Sequence, residues 1–215
     1  MNLFVSQESF APTFEGTWLT NLPNEGTCDD SASFSCSDDT PPSSDDYQYV
    51  ITCFENTGSK YITDVRFWAD ADNFAGPLEI VITKTNSASE GPSSGTFGTW
   101  PVQSVVNGEN VVSGANLGFN LITVTGAFCV GIVPSRSFSA GLDPPVTPVS
   151  NAGLTIQSKP TGTGSDVPYE GRFCTATSTD RPGWTQYPAT LFCIEVKVKD
   201  PTQNPTVRSL LFIVY

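Results

Sequence analysis

Histidine is absent from all 215 residues, and that gap removes more chemistry than any motif adds. Without imidazole there is no Ser-His-Asp or Cys-His relay, no His-ligated zinc, copper or haem, and no proton shuttle working near neutral pH. A carboxylate-only design such as a glycosidase survives the cut. Charge is scarce as well: Asp, Glu, Lys and Arg make up 15% of the chain, against roughly a quarter in average globular domains. The net charge of −12 leaves no basic stripe for nucleic-acid phosphates and no attraction to anionic lipid. It favours solubility, divalent cations and basic partners. No apolar run reaches the length of a membrane span, no C-x-x-C pair occurs, and helical periodicity is almost missing. The opening "MNLFVSQESFAPTF" has neither a basic leader nor an uninterrupted apolar core. Either a leader has been removed ahead of Met1, or the chain reaches its destination without one, as a virion protein would.

Aromatic residues are plentiful at 11%, which sets the chain apart from acidic disordered sequences. It is expected to fold, with a surface built mainly from Ser, Thr, Asn, Gln and Gly. Alternation and β-branched runs recur. "YQYVITCF" sets Tyr49, Ile51 and Cys53 against Val50 and Phe54, and the turn "NTGSK" to "YITDVRFWAD" predicts a hairpin connection. "PLEIVITK" places Leu78, Ile80 and Ile82 on one face and Glu79 and Thr83 on the other. "LGFNLITVTG", "AFCVGIVP" and "GRFCTATS" add further strands. In "TLFCIEVKVKD" the pattern turns Phe192, Ile194, Val196 and Val198 to the core and Glu195, Lys197 and Lys199 to water. Long Gly/Pro/Ser-rich loops separate these runs: "SASEGPSSGTFG", "SAGLDPPVTPVSNAG" and "KPTGTGSDVPYEG". The fold class predicted is all-β, an antiparallel two-sheet β-sandwich of jelly-roll type, with one domain over 1–200.

Residues 201–215 differ. A Pro-containing spacer, "KDPTQNPT", leads into "VRSLLFIVY", where Leu210, Leu211, Phe212, Ile213, Val214 and Tyr215 make a strong strand signal. Such a strand must be covered, either as the last strand of the sandwich or by pairing with another subunit, through donor-strand exchange or edge augmentation.

The six cysteines, Cys28, Cys36, Cys53, Cys129, Cys174 and Cys193, are even in number and lack the close pairs of a zinc framework. Disulfides in an oxidising compartment are expected, with inert buried thiols as the alternative for Cys129 and Cys193, which sit within strand-like runs. Spacing alone does not fix the connectivity. The short interval in "TCDDSASFSCSDDTPPSSDD" predicts a surface loop closed between Cys28 and Cys36, followed by a solvated connector.

Candidate chemistry is sparse. Asp70, Asp72 and Asn73 in "WADADNFAG" are hard oxygen donors suited to Ca²⁺, although the EF-hand glycine and terminal glutamate are lacking; a solvated turn is the simpler reading. Trp18, Trp68, Trp100 and Trp184 lie in or beside polar, Gly/Pro-rich stretches, and flat rings beside amides and hydroxyls suit sugar faces. Trp184 with Tyr187 in "RPGWTQYP" is the best such pair, followed by Trp100 in "FGTWPVQ"; core or rim packing is the ordinary role of such rings. Glu79 and Glu195, each turned from its strand's apolar face, are the minimal hydrolytic pair. Against that, Lys197 beside Glu195 suggests a surface ion pair.

The order of "SDDYQY", "ITDVRFWAD", "ITVTGAFCVGIVPS" and "PGWTQYPATLFCIEVKV", over about residues 45–198, resembles secreted bacterial β-sandwich modules of multidomain exoproteins. The resemblance implies an accessory role in adhesion, assembly or glycan contact, and no catalytic residue carries over. The Cys28–Cys36 segment and the "VRSLLFIVY" tail fall outside it. The expectation is a non-catalytic extracellular or cell-surface protein, structural or adhesive, assembling into oligomers or filaments by edge-strand pairing, with no cofactor beyond a candidate Ca²⁺. A virion capsid or decoration protein and a carbohydrate-binding module are the alternatives.

Overall fold

The computed structural model describes residues 16–28, 32–34, 47–71, 78–93, 95–114, 121–134, 154–160, 169–175, 185–186 and 190–201. They form β1 (Thr17–Thr20), β2 (Ala32–Phe34), β3 (Tyr47–Phe54), β4 (Ser59–Asp70), β5 (Leu78–Lys84), β6 (Thr96–Val102) and β7 (Gly108–Ser113). These are followed by β8 (Ile122–Thr125), β9 (Phe128–Pro134), β10 (Thr155–Pro160), β11 (Glu170–Thr175), β12 (Thr185–Gln186), β13 (Thr190–Phe192) and β14 (Ile194–Lys199). Every pairing among them is antiparallel.

Two sheets result. The eight-stranded sheet follows the path β1-β14-β4-β10-β13, with β2 against β10 and with β7 and β8 against β4. The six-stranded sheet runs β12-β11-β3-β9-β5-β6. Period-two alternation explains why they face each other. Leu78, Ile80 and Ile82 of β5 are fully buried while Glu79, Val81 and Thr83 between them are partly exposed. From the opposing sheet, Val65, Phe67 and Ala69 of β4 and Ile194, Val196 and Val198 of β14 enter the same core. The chain is thus an all-β, two-sheet antiparallel sandwich.

The outer faces are covered too. Ile51, Cys53, Ala88, Cys129 and Tyr169 form a second apolar cluster, with Ile51 and Cys53 alternating on β3 with the core residues Val50 and Phe54. Leu22, Cys28, Trp68, Leu191 and Cys193 form a third. Each of these clusters is built around a disulfide. Cys53 faces Cys129 across β3 and β9, with Cα atoms 3.9 Å apart. The Cys53 N–H donates away from β9, to the Tyr169 carbonyl at 3.1 Å, so the two cysteines occupy a non-hydrogen-bonded pair, where antiparallel side chains lie closest.

Two sequence expectations are corrected here. Cys28 is bonded to Cys193, 165 residues away, with Cα atoms 6.0 Å apart, so the loop expected between Cys28 and Cys36 does not exist. Cys129 and Cys193, the candidates for buried thiols, are both bridged. Cys36 lies outside the described residues, and of Cys174 only the backbone pairing with Gln48 is described. The turn Asn56–Lys60 does not make a hairpin. Both edges of β3 are taken, by β11 and β9, so β4 has no edge to join and the chain crosses to the other sheet. Leu210–Tyr215 also lies outside the described residues.

Candidate functional site

Three polar features interrupt this apolar frame. The first lies on the outer face of the eight-stranded sheet. Arg66 of β4 sits directly opposite Glu195 of β14. Arg66 Nε donates to Glu195 Oε2 at 2.6 Å, and Nη2 contacts the same oxygen as a charge pair without hydrogen-bond geometry. Glu109 of β7 lies 3.5 Å from Nη1, and Glu25 lies 3.8 Å from Nη2. The guanidinium stacks 4.1 Å from the Trp18 ring and 5.4 Å from the Trp68 ring, a cation–π arrangement that also shields the ion pair from water. Over this pair folds the segment following β1. The Gly26 N–H donates to Glu195 Oε1 at 3.0 Å; Gly26 has φ 72°, a left-handed conformation that glycine adopts without penalty. The Cys28–Cys193 disulfide then holds the segment down.

Glu195 is therefore 0% exposed, whereas simple alternation turns it to water. The residue that pairs with it is Arg66 across the strands and not Lys197 beside it. The hydrolytic pair is not assembled either. Glu195 is on the outer face of one sheet and Glu79 on the outer face of the other, with the core between them.

The second feature is inside the sandwich. Glu170, at the start of β11, is 1% exposed and lies opposite Thr52 of β3. Thr52 Oγ1–H donates to Glu170 Oε1 at 2.5 Å, and the Phe192 N–H from the facing sheet donates to Oε2 at 3.2 Å. Asn21 Nδ2 donates to Thr52 Oγ1 at 3.1 Å and to the Cys53 carbonyl at 3.0 Å. This carboxyl thus links the two sheets. Burial pushes its pKa well above the ordinary glutamate value, a rise that the hydrogen bonds from Thr52, Phe192 and Asn21 only partly offset.

The third feature is a cavity of about 350 Å³ where β1 and the end of β14 meet the β3–β4 crossover, lined by Gly16, Thr17, Leu19, Val198, Lys60 and the 55–57 segment among others.

Of the aromatic residues singled out for sugar contact, Trp100 is 1% exposed and belongs to the core. A Cβ on Gly114 would come within 2.5 Å of its ring. That location corrects its reading as an exposed sugar platform: a strand residue with an inward register is buried whatever its loop neighbours. Trp184 and Tyr187 lie outside the described residues, as do Asp72 and Asn73 of the candidate Ca²⁺ loop. Asp70 accepts a hydrogen bond from Gln157 Nε2 at 3.0 Å. Among the described residues no cluster of three or more His, Cys, Asp or Glu side chains is placed to hold a metal ion, and no helix is long and apolar enough to cross a membrane.

Arg66, Glu170 and Asn21 carry no motif that would have singled them out. The one legible hint for Arg66 is its place between Asp64 and Trp68 on the outward-turned positions of a strongly alternating strand.

No family model matches the chain, and no curated protein matches it. Among solved structures the chain is similar to the cysteine protease and lectin-like domains of Cwp84, a surface layer associated protein of Clostridium difficile, at 12% identity and a TM-score of 0.40. The match covers 74% of this chain and 36% of that one. A superposition at that score carries no weight for the function of this chain.

Proposed function

We propose that the chain is a non-catalytic, extracellular jelly-roll module with a structural or adhesive role, assembling with copies of itself by edge-strand pairing. The observation that carries this reading is the pair of disulfides, which join residues 165 and 76 positions apart and fasten a covering segment and two adjacent strands to the frame. Cross-links of this kind form and persist in oxidising compartments, which weighs for export over assembly of a virion in a reducing cytosol. What supports the jelly-roll reading is strand order: β1-β14-β4 with β7 and β8 beyond β4, and β3-β9-β5-β6 in the other sheet, is the order expected of a double Greek key, with β10 to β13 added before the last strand.

Two edges bear on assembly. β6 closes the six-stranded sheet and carries Pro101, a residue that blocks further pairing at an edge. β7 pairs with β4 alone among the described strands, and Val111 on it, with Val106 just before it, is exposed at 54% and 59%. An apolar edge of this type invites a further strand, and Leu210–Tyr215 is the segment of this chain with the strongest strand signal. Deleting residues 207–215 is expected to yield a soluble monomer with an unchanged thermal midpoint; oligomers of unchanged mass by light scattering and electron microscopy would remove the tail from the assembly mechanism.

A further inference from the structure

The cavity beside β1 is not used by the structural role, and its lining has a definite chemical character. It brings together two acids, Glu55 and Asp200, and two amines, Lys60 and Lys199, so it is neutral within a chain of net charge −12. Lys60 Nζ lies 2.5 Å from Asp200 Oδ1, which uses one of three ammonium donors. Glu55 engages only Oε1, accepting the Ala88 N–H at 2.7 Å. Asn56 engages its amide N–H groups, on the Gly58 and Gly126 carbonyls at 3.2 and 3.3 Å. The second Glu55 oxygen, the Asn56 carbonyl oxygen and the Thr17 and Thr57 hydroxyls have no hydrogen bond within the described residues. Leu19 and Val198 supply the apolar part of the lining.

We infer that this cavity is a binding site for a neutral saccharide unit. A sugar ring presents hydroxyls that both donate and accept, which suits a rim of mixed acceptors and donors, and a C–H face that suits Leu19 and Val198. An anionic ligand would meet Glu55, Asp200 and the acidic field of the whole chain. A cationic ligand would meet Lys60 and Lys199. The volume lies at the lower end of the range for small-molecule sites, enough for one or two rings. The described lining has no aromatic ring, so affinity is weak and rests on hydrogen bonds. The described lining is built from residues other than Trp184 and Tyr187, and the site stands whether or not the chain self-assembles.

The test is an amide-resolved NMR titration of the full chain with glucose, galactose, mannose and N-acetylglucosamine, each alone. Saturable shifts at Asn56, Thr57 and Lys60, with millimolar dissociation constants, are expected for at least one sugar. Thr57→Trp, at an exposed loop position, fills the cavity and should weaken that binding at least about tenfold, a loss of about 1.4 kcal/mol. Lys60→Met should weaken it less, and Trp184→Ala should leave it unchanged. Urea midpoints of the three variants establish that each is folded. Absence of saturable shifts with all four sugars overturns the site, as does wild-type binding by folded Thr57→Trp. Binding lost only in Trp184→Ala places the sugar elsewhere. None of these results bears on the assembly measured with the tail deletion.

Discussion

Arg66 and Glu195 form the most buried ion pair among the described residues. Glu195 is fully buried, and its two oxygens are held by Arg66 and the Gly26 N–H. Removing one partner of a buried, hydrogen-bonded pair strands the other charge, at a cost of about 3–5 kcal/mol. Arg66→Met should therefore lower the urea midpoint sharply, while Arg66→Met combined with Glu195→Leu should recover much of the loss. A double variant as unstable as the single one would show that the pair itself, and not the stranded carboxylate, holds the sheet.

Glu170 behaves oppositely, since none of its described hydrogen-bond partners is a cation. Its described neighbours are Thr52, Asn21 and the Phe192 N–H, all uncharged. Its folded pKa is raised, so the stability it contributes is fully present below the unfolded glutamate value, about 4.3. That contribution is lost as pH rises towards the folded pKa, because ionisation then favours the unfolded chain. Glu170→Gln should flatten the fall in stability as pH rises above the unfolded glutamate value, about 4.3, and be the more stable form once Glu170 ionises. Equal slopes for the two proteins in urea unfolding across that range would exclude Glu170 as the titrating group.

Among the elements, the segment from Asn21 to Cys28 shows how a stretch without regular structure becomes part of the frame. Leu22 and Cys28 pack with Trp68, Leu191 and Cys193, and the disulfide joins residues 165 positions apart. Closing a loop of this length removes much of the unfolded chain's freedom, typically about 2–5 kcal/mol of stability. Cys28→Ser with Cys193→Ser should lower the unfolding free energy by that amount and expose the Asn21–Cys28 segment to protease, while Cys53 and Cys129 stay linked in non-reducing peptide maps. A protease-resistant double variant would mean that packing alone keeps the segment in place.

The strand pattern itself was legible. The faces of β5 and β14 follow from alternation, because apolar residues with period two can be buried only on one side. Alternation was not sufficient where both faces are covered. It assigned Glu195 to solvent because nothing local reveals that a disulfide-held segment lies over that face. It assigned Asn56–Lys60 to a hairpin because a short turn between strands does not say whether an edge is free.

For the whole molecule, the consequence is a fold dominated by distant pairings: Thr17 with Val198, Glu170 with Thr52, Cys53 with Cys129. Loop closure must precede most contacts, which places refolding of such topologies in the range of milliseconds to seconds. With disulfides intact, stopped-flow fluorescence should show refolding in that range, and reduction should slow it by leaving the longest loops open. A reduced chain that refolds at the same rate would indicate that the cross-links form on an already assembled sandwich.

By itself the sequence determined the all-β class, the inward residues of the clearest strands and the exclusion of imidazole chemistry, and it led to the expectation of disulfides, since these follow from composition and local periodicity. Only the tertiary structure decided which cysteines pair, that Trp100 is core, that Arg66 meets Glu195, and that Glu170 bridges the sheets. Each of those depends on residues far apart in the chain being brought to one place by the order of strands, and strand order is written in the sum of many pairings, not in any single stretch.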